Sequence, residues 1–221
     1  MHPVIILAPL LPEARAVARA FSLKGQFLRK TESNGEVTVA MVGPRASHLP
    51  QLEGLTPRGV ILAGLGGGLA EGVGLGNLVV DRRISPLTVN VPIHFGKICT
   101  SPYVVTNPAD KMALHRQTGA LAVDMEYDIA RAFAESLTVP FLAIRAISDT
   151  VHDTLDPALL GLIDGDGRPR PSRAIGMLAR NPAKLAMLLR IAKASRLALS
   201  HLAAGVAAIV DSGWPDGPGK G

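Results

Sequence analysis

Short apolar runs punctuate the first two thirds of the chain: PVIILA from Pro3, EVTVAMVG from Glu36, GVILAGLGGG from Gly59, NLVVD from Asn77 and VPFLAIRAISD from Val139. Each has the length of a strand and is bounded by glycine, proline or polar residues. Patterns with helical spacing lie between some of them, over Glu13 to Phe21, Pro108 to Gln117 and Tyr127 to Ser136. Strands alternating with helices predict a single three-layer α/β domain, its mixed, largely parallel central sheet flanked by helices. In such sheets the ligand sits beyond the carboxyl ends of the strands. The segments that follow the runs are therefore the candidates: Pro9 to Glu13, Gly43 to Ser47, the glycines from Gly64 to Gly68, and Ser148 with Asp149.

The last third is patterned differently. After DGDGRPRPS, a glycine and proline loop from Asp164 to Ser172, come RAIGMLARN and a long helical pattern from Pro182 to Val210. Pro182 suits a first helical turn. From Lys184 this helix sets Leu185, Leu188, Leu189, Ala192 and Leu199 against Lys184, Arg190, Lys193 and Arg196, an apolar stripe with a basic flank. Its longest uncharged stretch, Leu197 to Val210, is too short to span a bilayer. Packing on the sheet or on a subunit partner is the ordinary use of such a helix, and contact with a membrane surface is the alternative. The predicted organisation is one domain over residues 1–211, with 172–210 a C-terminal helical extension and 212–221 a disordered tail.

Composition narrows the function classes. The chain has 221 residues, 48% of them apolar, enough for one large core without a composition break. A net charge of +5 raises nucleic acid as a partner, but an aromatic share of 4% leaves little for bases to stack on, so no nucleic-acid role is expected. The lone Cys99 excludes an internal disulfide and has no zinc or redox spacing. The N-terminal apolar patch lacks a basic leader and is broken by Pro9, Pro12 and Glu13, which reads as a buried strand and points to the cytoplasm. The six histidines show no close metal spacing, and neither a metal nor an organic cofactor is expected.

Four stretches can carry chemistry. GLGGG at Gly64 to Gly68 is expected to follow a strand, either as a tight turn or as a loop whose N–H groups meet an anion. It matches neither a dinucleotide fingerprint nor a P-loop. ISDTVHD leaves a strand with Asp149 at the sheet's carboxyl edge, and Arg145 shares its face only if the strand reaches that far. Glu13 follows the first strand, and GALAVDMEYDIARAFAE sets Asp124 and Glu126 around Met125 at a helix start. Each carboxylate has an ordinary reading as a first-turn acid or cap. A parallel sheet would nevertheless gather Glu13, Glu126 and Asp149 at one rim.

Taken together, ILAPLLPEAR, GVILAGLGGGLAEGVGLGNLVV, GALAVDMEYDIARAFAE and VPFLAIRAISDTVHD resemble the nucleoside phosphorylase and methylthioadenosine/S-adenosylhomocysteine nucleosidase superfamily, in matching order from about Val4 to Asp153. With ARNPAKLAMLLRIAKAS, the whole looks most like the hopanoid-associated phosphorylase subgroup. The resemblance implies a nucleoside phosphorylase-like fold and a role for each candidate. Glu126 would accept hydrogen bonds from the ribose hydroxyls above Met125, Asp149 would share a proton with the purine, and Val104, Val105 and Ser148 would meet the base. Glu13 matches the base that activates water in the hydrolases. Arg45, Gly64, Leu65, Gly66 and Gly67 are the candidates for a phosphate site, although Leu65 stands where a hydroxyl residue is often found and Ala8 where a glycine is familiar.

The expected activity is cleavage of the N-glycosidic bond of a 5'-modified adenine nucleoside with release of adenine. By resemblance the substrate is adenosylhopane and the acceptor inorganic phosphate, in hopanoid lipid biosynthesis. The alternatives are a hydrolytic methylthioadenosine/S-adenosylhomocysteine nucleosidase acting on a thioether substrate, and a nucleoside-binding or membrane-associated protein that has lost turnover. Self-association and a cytoplasmic location, with a peripheral position at the inner membrane as the alternative, complete the expectation.

Overall fold

The computed structural model describes residues 2–27, 31–51, 56–84 and 87–216. The chain runs β1 (Val4–Ala8), α1 (Leu11–Ala20), β2 (Thr31–Ser33), β3 (Val37–Met41), β4 (Gly59–Gly68), β5 (Leu78–Val80), β6 (Ile93–Phe95) and β7 (Ile98–Thr100). It continues through α2 (Pro108–Thr118), β8 (Ala122–Asp124), α3 (Tyr127–Ser136), β9 (Phe141–Asp149), α4 (Pro171–Arg180) and α5 (Leu185–Asp211). The strands form one sheet in the order β2-β3-β1-β4-β9-β5-β6, with β8 joined to β4 and β7 to β8. The central strands β3, β1, β4 and β9 are parallel, whereas β2, β8 and β5 join antiparallel.

The sheet is central because β1, β3 and most of β4 and β9 are buried on both faces, which is why their sequences read as unbroken apolar runs. On one face Val4, Ile6, Ile61, Ala63, Leu142 and Ile144 pack with Leu11, Ala14 and Val17 of α1 and with Leu202, Val206 and Ile209 of α5. On the other, Ile5, Leu7, Val60, Leu62 and Ala143 pack with Ala130 and Ala134 of α3. The three layers expected from the sequence are present, and the short strands β2, β6, β7 and β8 complete the sheet.

Three expectations are corrected. The glycine run is not a loop: β4 extends through Gly68, Gly64 to Gly66 pairing with Arg145 to Ile147 and Gly67 with both Asp149 and Val123. The C-terminal helices are only partly an extension, because α4 is separated from α5 by a 3-10 turn at Pro182–Lys184, while Ala198, Leu202, Val206 and Ile209 belong to the main core. The tail does not fray from residue 212, since Trp214 is buried in that core against Gly59; residues 217–221 lie outside the described residues. The stretch Pro182–Asp211 is also, by length and composition alone, apolar enough to cross a membrane. Its second half is nevertheless spent on the core.

Candidate active site

A cavity of about 630 Å³ opens beyond the carboxyl ends of β1, β4 and β9. That is in the range of about 300–1,000 Å³ usual for small-molecule sites. Glu13, Glu126 and Asp149 all line it, so the sheet gathers the three carboxylates at one rim.

Glu13 is placed by the turn between β1 and α1. Pro12 fits the first turn, and the Leu10 N–H donates to Glu13 Oε2 at 2.7 Å, closing the helix start. Glu13 Oε1 accepts the Leu65 N–H from β4, also at 2.7 Å. Burial raises its pKa to about 7, against the opposing pull of the Leu65 N–H and the Arg145 charge. A carboxyl poised there can take a proton at neutral pH.

Asp124 ends β8 and serves two purposes. Its Oδ1 accepts the N–H groups of Glu126 and Tyr127 at 3.2 and 3.0 Å, which starts α3. Its Oδ2 accepts from Arg145 Nε at 2.7 Å and also from Arg145 Nη2. Arg145 is wholly buried, and its Nη2 also lies 3.4 Å from Glu126 Oε2. Glu126 Oε1 accepts the Arg45 N–H at 2.9 Å. Burial raises the Glu126 pKa and nearby Asp124 adds to the rise, while Arg145 opposes it. The strand does reach Asp149, past a register irregularity opposite Gly66 and Gly67, yet Arg145 and Asp149 are held by different partners.

The glycines of β4 make room for this network. A Cβ on Gly64 would overlap Arg145 Nη1 and stand 3.1 Å from Glu13 Oε1, and one on Gly67 would stand 3.3 Å from Asp149 Oδ2. Arg145 is pinned by Asp124 and cannot yield. Gly64→Ala is therefore expected to cost about 1–3 kcal/mol of stability through overpacking, read as a lower denaturant midpoint at unchanged slope; a neutral result would mean that Arg145 is free to move. Leu65, Gly66 and Gly67 line the cavity, but the Leu65 N–H is committed to Glu13, which removes one donor from the expected anion cradle. Arg45 also lines the cavity, in a strained turn where it and Ala46 have φ of 56° and 47°. Its Nη2 donates to the Pro102 carbonyl at 2.6 Å.

Val104, Val105, Met125 and Ser148 also line the cavity. Ser148 Oγ donates to Asp149 Oδ1 at 2.8 Å. The residue that sequence reading missed is Lys111 of α2, fully buried, with Nζ 2.5 Å from Asp149 Oδ2. The available signal was a lysine sharing a helical face with Leu114 and His115, where an apolar residue is the norm. Among the described residues no group of three or more His, Cys, Asp and Glu could hold a metal ion.

The phosphorylase superfamily model matches residues 82–161, a span that holds Val104, Val105, Lys111, Met125, Glu126, Ser148 and Asp149. Among solved structures the fold is shared with a Helicobacter pylori 5'-methylthioadenosine/S-adenosylhomocysteine nucleosidase variant carrying 5'-methylthioadenosine in its active site. The two are 15% identical with a TM-score of 0.64 over 96% of this chain and 99% of that one. The same nucleosidase with butyl-thio-DADMe-Immucillin-A aligns at 16% identity and a TM-score of 0.62, over 96% and 98%. Futalosine hydrolase of the same organism aligns at 15% and 0.63, over 95% and 97%. At such identities the likeness is one of fold. No curated protein matches the sequence significantly. The phosphorylase superfamily model thus matches the central segment of the chain, and the fold of these nucleosidases is shared along almost its whole length.

Proposed function

We propose that this chain cleaves the N-glycosidic bond of a 5'-modified adenine nucleoside and releases adenine. The observation that carries the reading is the convergence of Glu13, Glu126 and Asp149, from three different segments, on one cavity. Glu126 accepts hydrogen bonds from the two ribose hydroxyls, with Met125 against the sugar, and its negative charge favours the oxocarbenium-like transition state. Asp149 serves N7 of the purine, so that the base departs neutral, while Ser148 orients the carboxyl and the backbone at Val104 and Val105 meets the base edge.

The geometry favours water as acceptor, activated by Glu13. Among the described residues the cavity lining holds Glu13, Asp124, Glu126, Asp149 and Asp164 against Arg45, and even with Arg145 and Lys111 paired behind Asp124, Glu126 and Asp149 the acids outnumber the cations where a phosphate dianion would enter. Phosphorolysis, the acceptor suggested by resemblance, is the second reading, and Arg45 at the cavity wall is the observation in its favour. For the 5' group, Leu10, Leu155, Leu159 and Ile163 supply an apolar wall suited to a long hydrophobic substituent such as the hopane of adenosylhopane. A methylthioadenosine-type thioether fits the same wall.

A lipidic substrate also needs a way to the membrane. Between Arg168 and Arg196 the chain carries eight lysines and arginines and no acid, and Ile175, Leu185 and Leu189 stand exposed among them. We propose that this face meets anionic lipid, which co-sedimentation with anionic but not neutral vesicles would support. Self-association is proposed on Tyr103, a cavity residue that is 66% exposed and that a second copy could cover; molar mass in solution tests it.

The deciding experiment incubates the protein with methylthioadenosine, and separately with adenosylhopane in detergent, each with and without phosphate, and quantifies adenine. Phosphate-independent release supports hydrolysis, and release only with phosphate moves the assignment to phosphorolysis. Tight nucleoside binding without adenine from either substrate leaves a non-catalytic binder.

If Glu13 is the base, kcat/KM falls below an apparent pKa of about 7, the acid limb being the protonation of Glu13. Glu13→Gln removes that limb and costs about 10²–10⁴ in rate. The sign for stability is opposite. Because the folded-state pKa is raised from 4.5 to about 7, the contribution of Glu13 is fully present below pH 4.5 and is lost as pH rises to about 7. Wild type should therefore lose up to about 3 kcal/mol relative to Glu13→Gln across that window. A pH-independent difference in unfolding free energy would contradict the raised pKa.

A further inference from the structure

Lys111 has no part in the roles assigned above, yet it is among the largest fully buried side chains of the protein. Burying an ammonium is costly unless every proton finds an acceptor. Lys111 Nζ has three: Asp149 Oδ2 at 2.5 Å, the Thr150 carbonyl at 2.7 Å and the Asp153 carbonyl at 3.1 Å. Only one of the three is a carboxylate oxygen. If the proton facing Asp149 moved onto that carboxyl, the remaining NH₂ group would still donate both hydrogens to the two carbonyls. Ammonium and amine are thus both satisfied in the same cradle. A fixed counter-charge would use the same three acceptors, but only a lysine that gives up its proton also needs the amine left behind to be satisfied.

We infer that Lys111 is the proton source behind Asp149, supplying through its carboxyl the proton that the departing purine takes at N7. The inference rests on the glycosidase reading of the cavity. The proton passes from Lys111 Nζ to Asp149 and on to N7, the C1'–N9 bond breaks, and its electron pair leaves with the base as neutral adenine. Water adds to the ribosyl cation and gives its proton to Glu13. Asp149 ends as it began, Lys111 ends neutral and Glu13 protonated, and exchange with solvent restores both. Lys111 is a positioning residue, since it acts through Asp149.

The charged groups around Lys111 are few. Asp149 comes from β9, and Asp153 lies in the turn that follows, its pKa held low by hydrogen bonds from Thr150 and by Lys111 and Arg190. On α2 itself His115, one turn on, is engaged with the Ala120 carbonyl.

The test compares two substrates with the same 5'-modified ribose, one carrying adenine and one carrying p-nitrophenolate, which departs as a stable anion. In wild type the rate with adenine should fall at high pH while the rate with p-nitrophenolate stays level. Lys111→Met and Lys111→Arg should each lower kcat for the adenine substrate about 100-fold and leave the p-nitrophenyl substrate within a few-fold. Arginine keeps the charge and does not give up a proton. Recovery of adenine release in Lys111→Arg would overturn proton supply in favour of a fixed counter-charge, and equal losses on both substrates would reduce Lys111 to a structural role. Should both variants fail to fold, matching wild-type pH profiles for the two substrates would still overturn the inference. Wild-type inactivity toward both would overturn the glycosidase reading beneath it.

Discussion

Asp149→Asn is expected to slow adenine release by about 10²–10⁴, the range of a positioned acid or base, with most of the loss in kcat. Asparagine preserves the shape of the side chain and can still donate a hydrogen bond to N7, so substrate binding should survive. It cannot pass on a proton, so the base would have to depart as an anion. The same change leaves Lys111 buried with two carbonyls and no carboxylate. Removing one partner of a buried pair costs about 3–5 kcal/mol when the other stays charged. Steady-state kinetics at saturating substrate, with equilibrium denaturation of the same variant, separates the two effects. A variant that turned over within a few-fold of wild type would remove Asp149 from the chemistry.

The layers of the fold and the three carboxylates were legible in the chain because each rests on local pattern. Unbroken apolar runs announce strands buried on both faces, and a junction acid after such a run can be placed at the rim from topology alone. What was hidden depends on partners distant in sequence. The glycines of β4 look like a loop in isolation. They are a strand because they pair with β9, and their room is taken by Arg145 and Asp149 from β9 and by Glu13 from α1. Lys111 reads as an ordinary helix cation, and only the approach of Asp149 and the turn after it buries it. Trp214 sits in a stretch of glycine and proline composition, yet one large apolar side chain packing on Gly59 ties the segment down. The strands β2, β6, β7 and β8 have three residues each, too few for periodicity to register.

Arg145→Met should be the most destabilising single change at the site, by about 3–5 kcal/mol. Methionine fills much of the volume, but Asp124 Oδ2 loses both its guanidinium donors and Glu126 a nearby cation, both deep in the structure. The loss should be smallest at low pH, where Glu126, its pKa already raised by burial, can protonate. The functional consequence follows from the same charge. Arg145 opposes the upward shifts of both Glu13 and Glu126, so without it both titrate higher. The acid limb of kcat/KM should then move to higher pH in the surviving folded enzyme, a change that lost packing would not produce. Adding Asp124→Asn should recover part of the stability, because an uncharged amide at that position no longer needs a buried cation, and the two changes should be strongly non-additive. Additive losses and an unmoved acid limb would mean that Arg145 serves as filler beneath the site, and that the carboxylates owe their state to burial alone.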